Sequence, residues 1–145
     1  MCLYIKKNQE IKVATERIVA YKVLAVLSDG SYATAFRNVR VKLGGKYKAQ
    51  GFIDRRCRHL HKESKFRSYG EYIGGGVIHT FKNLEDAKKI VKSPLYWFPS
   101  KLVIVKAYIP KGSEYYEGIF ESTGIPSYGS REVRYSKAIS HEITL

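Results

Sequence analysis

The chain has 145 residues, 44% of them hydrophobic, and a formal net charge of +13 at pH 7. This is the size of one domain that can bury its core without metal or disulfide staples, so a single domain over 1–145 is expected. Only two cysteines, an apolar opening too short for a secretory leader before Lys6-Lys7, and no run near the roughly 18 apolar residues of a membrane span exclude a disulfide-built secreted scaffold and a helical membrane protein, and point to the cytoplasm.

Arg17 to Leu27 is apolar on both faces, with Lys22 the only charge inside, as expected of a strand in the middle of a sheet. Ser28-Asp29-Gly30-Ser31 supplies turn chemistry. Val39, Val41 and Leu43 alternate with Arg40 and Lys42, and Gly44-Gly45 then leads to Lys46-Tyr47-Lys48-Ala49, a pattern that predicts a hairpin. Residues 50–72 show no sustained period and are expected to form a basic, irregular loop or edge. Val77 to Phe81 predicts a short strand. Asn83 is placed to cap a helix over about 83–92, with Glu85 and Asp86 in its first turn and Leu84, Ala87, Ile90 and Val91 on one face, ended by Ser93-Pro94. Lys101 to Ile109 is a second strand apolar on both faces, expected beside the first. Tyr115 to Phe120 and Glu132 to Ile143 complete the strands. The expected fold class is α+β: one domain, a mostly antiparallel twisted sheet and one helix packed on it.

Charge is unevenly distributed, with 16 Lys/Arg against 5 Asp/Glu in residues 1–67 and 10 against 8 in residues 68–145. Arg55, Arg56, Arg58, Lys62, Lys65 and Arg67 crowd one segment flanked by Phe52, Phe66, Tyr69 and Tyr72. Cations neutralise phosphates and aromatic faces stack on unpaired bases, so this segment is the candidate polyanion contact, although such a run is also what a solvated loop looks like. Within it, Cys57, His59 and His61 alternate and would share one face of an extended segment, as a zinc site requires, but the spacing matches no common zinc signature and the neighbouring arginines oppose a dication. His79 shares a strand face with Val77 and Phe81, a position that suits a histidine at the edge of the core.

The start Met1-Cys2-Leu3-Tyr4-Ile5-Lys6-Lys7, the box from His79 to Ala87 and the box from Ile109 to Gly118 together resemble a family of small uncharacterised proteins of phages and gut bacteria. That resemblance implies an accessory protein of a mobile element acting in the bacterial cytoplasm. More remotely, the order of strand, glycine-rich turn, short strand, helix and long strand is similar to the small ADP-ribosyltransferases. That likeness implies an NAD cleft with Tyr21, His79 and the carboxylate of Glu132. The chain departs from that pattern at Lys22, at His79-Thr80 and at Ser130, where a second acidic residue would stand, so the fold could persist without catalysis.

The expectation that follows is a non-enzymatic basic module, without cofactor, that binds nucleic acid or an acidic host protein and has no membrane contact. The alternatives are an ADP-ribosyltransferase-like enzyme or its inactive relative, and a structural component of a virion.

Overall fold

The computed structural model describes residues 3–57, 69–92, 101–120 and 123–143. Among them lie β1 (Leu3–Ile5), β2 (Lys12–Val13), β3 (Ile18–Val26), β4 (Tyr32–Thr34), β5 (Arg40–Val41), β6 (Lys46–Lys48), β7 (Asp54–Cys57), β8 (Glu71–Gly75), β9 (Ile78–Phe81), α1 (Leu84–Lys92), β10 (Leu102–Ile109), β11 (Glu114–Phe120), β12 (Ile125–Ser130) and β13 (Glu132–Ile143). The α+β expectation is therefore corrected: the protein is predominantly β, a curled antiparallel sheet carrying one short helix. The expectation underweighted short strands, because β1, β2, β4, β5 and β6 span two or three residues each, too few to display a period of two.

All thirteen strands join one sheet in the order β6-β13-β10-β3-β9-β12-β11-β1-β8-β7, with β2 added on β11 and β4 and β5 added on β3. The two strands apolar on both faces, β3 and β10, lie side by side as expected, in register from Leu102↔Ala25 to Ile109↔Ile18. Both faces are covered over the centre of the sheet. On one, α1 places Ala87, Ile90 and Val91 against Val23, Phe81, Leu102, Ile104 and Phe120. On the other, the curl of the sheet brings Val41, Tyr128, Val133 and Tyr135 onto Ala20, Leu24, Val103, Val105 and Ala107. Each of the larger aliphatic or aromatic side chains fully buried here contributes about 1.5–3 kcal/mol.

The helix begins where expected. Asn83 accepts the Ala87 N–H through its backbone carbonyl at 3.1 Å, and its side-chain amide donates to Asp86 Oδ2 at 3.1 Å. Acidic Glu85 and Asp86 in the first turn and basic Lys89 and Lys92 in the last complement the helix dipole. The expected hairpin is not formed. Gly44, at φ 79°, does turn the chain, and the Gly45 N–H donates to Lys42 O at 3.0 Å, but the flanking strands part, β5 pairing with β4 and β6 with β13. No helix among the described residues is long and apolar enough to cross a membrane.

Candidate functional site

The basic segment begins on β7, the last strand of the sheet, which pairs with β8 at Arg55↔Ile73, Arg56↔Tyr72 and Cys57↔Glu71. Arg55 is held by Glu71 through two hydrogen bonds, one of them from Nη2 to Oε1 at 3.1 Å, donates also to Gln9 O, and lies 5.5 Å from the Tyr116 ring centre. Glu71 additionally accepts the Asn8 N–H at 2.8 Å, and these bonds, Arg55's first, pull its pKa down to about 2. Arg56 Nη2 sits 2.6 Å from Asp54 Oδ2, and the Arg56 Cζ lies 6.0 Å from the Tyr72 ring centre. Arg55 and Arg56 thus have their charges matched within the fold. Arg58, Lys62, Lys65 and Arg67, with His59 and His61, lie outside the described residues, as does the Cys57 side chain. Among the described residues no group of three His, Cys, Asp or Glu side chains is arranged to hold a metal.

Glu71 works as a clamp between β8, β7 and the turn after β1, and its removal has a defined cost. Glu71→Gln is expected to lower the unfolding free energy by about 2 kcal/mol near pH 7, because Arg55 is left half-buried without its carboxylate. The folded-state pKa is depressed, so the contribution is present above pH 4.5 and is lost as pH falls toward 2. Urea unfolding at pH 7 and pH 3 checks this: a wild-type minus variant difference that does not shrink at pH 3 would contradict the assignment.

Tyr21, His79 and Glu132 are not gathered into one cleft. Tyr21 opposes Phe81 in register and packs with the cluster under α1. His79, 7% exposed, lies against Phe81 and Phe120 with ring centres 4.9 and 5.1 Å away, and its Nε2 is buried without a hydrogen-bond partner. Burial first, then the charge of Lys22, pushes its pKa well below the ordinary histidine range, so the imidazole is neutral at pH 7. Glu132 begins β13, lies 3.6 Å from Lys48 Nζ and borders a different cavity from the one His79 lines.

Two arrangements emerge from the tertiary structure instead. The first is the face of β6, β13, β10 and β3 that carries Lys46, Arg134, Tyr108 and Val19. Cross-strand register sets these four in one row, Lys46↔Arg134, Arg134↔Tyr108 and Tyr108↔Val19, and directly opposed residues share a face. The Arg17 guanidinium stacks 4.3 Å from the Tyr108 ring centre. A cleft of about 750 Å³ along this margin is bordered by Arg17, Lys46, Lys48, Arg134 and Lys137, with Glu132 the one carboxylate beside them.

The second lies where β3 exchanges neighbours. It meets β9 at Tyr21↔Phe81 and β4 from Leu24↔Thr34 onward, and Lys22 falls between the two. Its side chain enters the split and donates to His79 O at 2.5 Å. Lys22 is only 7% exposed; burial, with the nearby Arg37 charge adding to it, pulls its pKa from 10.5 down to about 7. A cavity of about 270 Å³ opens at this point.

A scan against protein-family models, a search of curated proteins and a search of solved structures each find no match to this chain. What the protein does has to be argued from these side chains. Sequence reasoning missed the basic row because β6 and β13 are far apart in the chain and β6 has only three residues. Lys22, by contrast, did carry a signal, as the single charge inside a strand with two apolar faces.

Proposed function

We propose that the protein is a polyanion-binding module whose partner is single-stranded nucleic acid, held against the face of β6, β13, β10 and β3. The observation that carries this is the cross-strand row Lys46, Arg134 and Tyr108 with Arg17 stacked over the tyrosine ring. Cations spaced by strand separation can follow a phosphate backbone, and the guanidinium plane of Arg17, backed by the half-buried Tyr108 ring, can take an unpaired base of any sequence. The charges are available there: among the described residues Arg17, Lys46 and Arg134 form no salt bridge, whereas Arg55 and Arg56 are each paired with a carboxylate. The reading rests on the sheet face because Arg55 and Arg56 are matched by carboxylates and Arg58, Lys62, Lys65 and Arg67 lie outside the described residues, and of the two expected partners it takes nucleic acid. The resemblance to small phage and gut-bacterial proteins supports placing this role in a bacterial host cell. The separation of His79 from Glu132 favours binding over NAD chemistry.

Fluorescence anisotropy with a labelled oligouridine on the full chain tests the proposal. About five phosphate contacts predict a slope near −3.5 in a plot of log affinity against log salt. Lys46→Ala with Arg134→Ala should weaken binding at least tenfold and reduce the slope by about 1.4. Arg56→Ala, which removes a charge already matched by Asp54, should leave both nearly unchanged. Equal losses from the two variants, or no binding at low salt, would overturn the assignment.

A further inference from the structure

The split between β3 and β9 encloses a second site that nucleic-acid binding does not use. Its walls are apolar, formed by Leu3, Phe36, Val41, Ile73, Val77 and Ile78. Its charged lining is entirely cationic: Lys22, Arg37 and Lys48 border it and no carboxylate does. Lys22 is the buried one, Arg37 stands at the exposed mouth with Nη2 3.5 Å from Gly74 O, and Lys48 is a solvated rim residue already paired with Glu132. A buried charge in a protein is normally paired, since taking an ammonium out of water without a counter-charge is costly. Lys22 has no carboxylate partner among the described residues. An ammonium carries three N–H donors, and among the described residues one of them goes to His79 O.

We propose that this cavity binds a small organic acid with an apolar body, its carboxylate taken by Lys22 and Arg37 and its hydrocarbon or ring lying against Leu3, Phe36, Ile73, Val77 and Ile78. The ligand class follows from complementarity. A monoanion supplies the missing counter-charge, an apolar body suits the walls, and a volume of about 270 Å³, just under the ~300 Å³ at which drug-sized pockets begin, limits the ligand to a short or medium chain or a single ring. Inorganic phosphate would neutralise the charge but leave the apolar walls unfilled.

The charged groups that line the cavity with Lys22 are Arg37 and Lys48, of which Arg37 acts on the Lys22 amine; His79, on the neighbouring strand, is neutral at pH 7. The ligand therefore selects the protonated amine, and a proton is taken up with it as pH rises above 7. Sodium octanoate, octanol and inorganic phosphate, each titrated calorimetrically into the full chain, test this. Octanoate should bind in preference to both others, and raising pH from 6 to 8.5 should weaken it roughly tenfold or more. Lys22→Met should weaken octanoate at least tenfold while its unfolding transition stays cooperative, and Arg37→Ala, an exposed change that spares the core, should weaken it to a lesser degree. The Lys46→Ala, Arg134→Ala double variant should keep full octanoate affinity, which separates this site from the sheet face. Octanol binding as tightly as octanoate, phosphate binding as tightly as octanoate, or undiminished affinity in the folded Lys22→Met variant would each overturn the proposal.

Discussion

Lys22→Met should raise the unfolding free energy by about 3 kcal/mol at pH 6 and abolish a rise in stability that the wild type shows between pH 7 and pH 10. A pKa moved from 10.5 to about 7 corresponds to roughly 4–5 kcal/mol against the charged amine in the folded state. Methionine fills the same slot without that cost, but it leaves His79 O without its donor, which returns about 1–2 kcal/mol. The sign is fixed by proton counting. Between pH 7 and 10 the unfolded chain keeps the lysine proton and the folded chain does not, so stability rises with pH across that window. Above about pH 10 the trend reverses, because burial raises the pKa of Tyr135 and unfolding then releases a phenol proton. Urea unfolding followed by circular dichroism from pH 6 to pH 9.5 decides the matter. A flat wild-type profile, or one that the variant retains unchanged, would show that Lys22 is not desolvated as described. A lysine desolvated inside an apolar strand, with a cavity opening beside it and no carboxylate lining that cavity, has the character of a functional-site residue.

The second large effect is expected at Gly118, on β11. A Cβ built there would stand 2.0 Å from Tyr4 O and 3.1 Å from Leu3 Cδ1, so β1 runs across the glycine with no room for a methyl group. The opposing atom is backbone and cannot rotate away. Gly118→Ala must therefore push β1 off β11, and among the described residues β1 is the strand that links β11 to β8 and β7 in the order of the sheet. The cluster of Leu3, Ile5, Ile73 and Tyr116 is disrupted with it. We expect a loss of at least about 3 kcal/mol, a fall in Tm on the order of 10 °C. Gly30→Ala is the control. It has a φ of 84° but nothing within 4 Å of its Cβ, so it should lose only the 1–2 kcal/mol of a left-handed non-glycine residue. Equal melting of the two variants would refute the close-approach account.

What the sequence revealed depended on range. The two-faced apolar patterns of β3 and β10 located the centre of the sheet and their adjacency, because burial on both sides writes itself into consecutive residues. Asn83, Glu85 and Asp86 located α1 for a similarly local reason. The Gly44-Gly45 turn was legible, but the fate of its flanking strands was not: β6 satisfies its backbone on β13, more than eighty residues away, and nothing near Tyr47 announces that. β12 was unread because Pro126 and Gly129 interrupt its pattern, although Ser127, Tyr128 and Ser130 are all buried. The same distinction governs the sites. The density of arginines at 55–58 is visible in the sequence, whereas their neutralisation by Glu71 and Asp54 requires the β7–β8 pairing to be known. Lys22 drew notice as an exception to a pattern, but only the change of neighbours along β3 shows why a lysine can reside there.

Among the described residues the sheet curls without closing, and β6 and β7 end the order of its strands. A closed barrel satisfies every backbone amide and leaves no strand to be extended, but among the described residues the end strands β6 and β7, like the branch strands β2 and β5, each pair on one side and leave an edge where another polypeptide could add itself. The β6 end bears Lys46, which forms no salt bridge among the described residues, whereas Lys48 is paired with Glu132 and the β7 arginines with Glu71 and Asp54, so like-charge repulsion of an identical neighbour is strongest at Lys46. The Lys46 charge in the proposed phosphate contact is thus also expected to oppose strand-to-strand growth of copies at β6, so Lys46→Ala should carry a solubility penalty separate from any loss of binding.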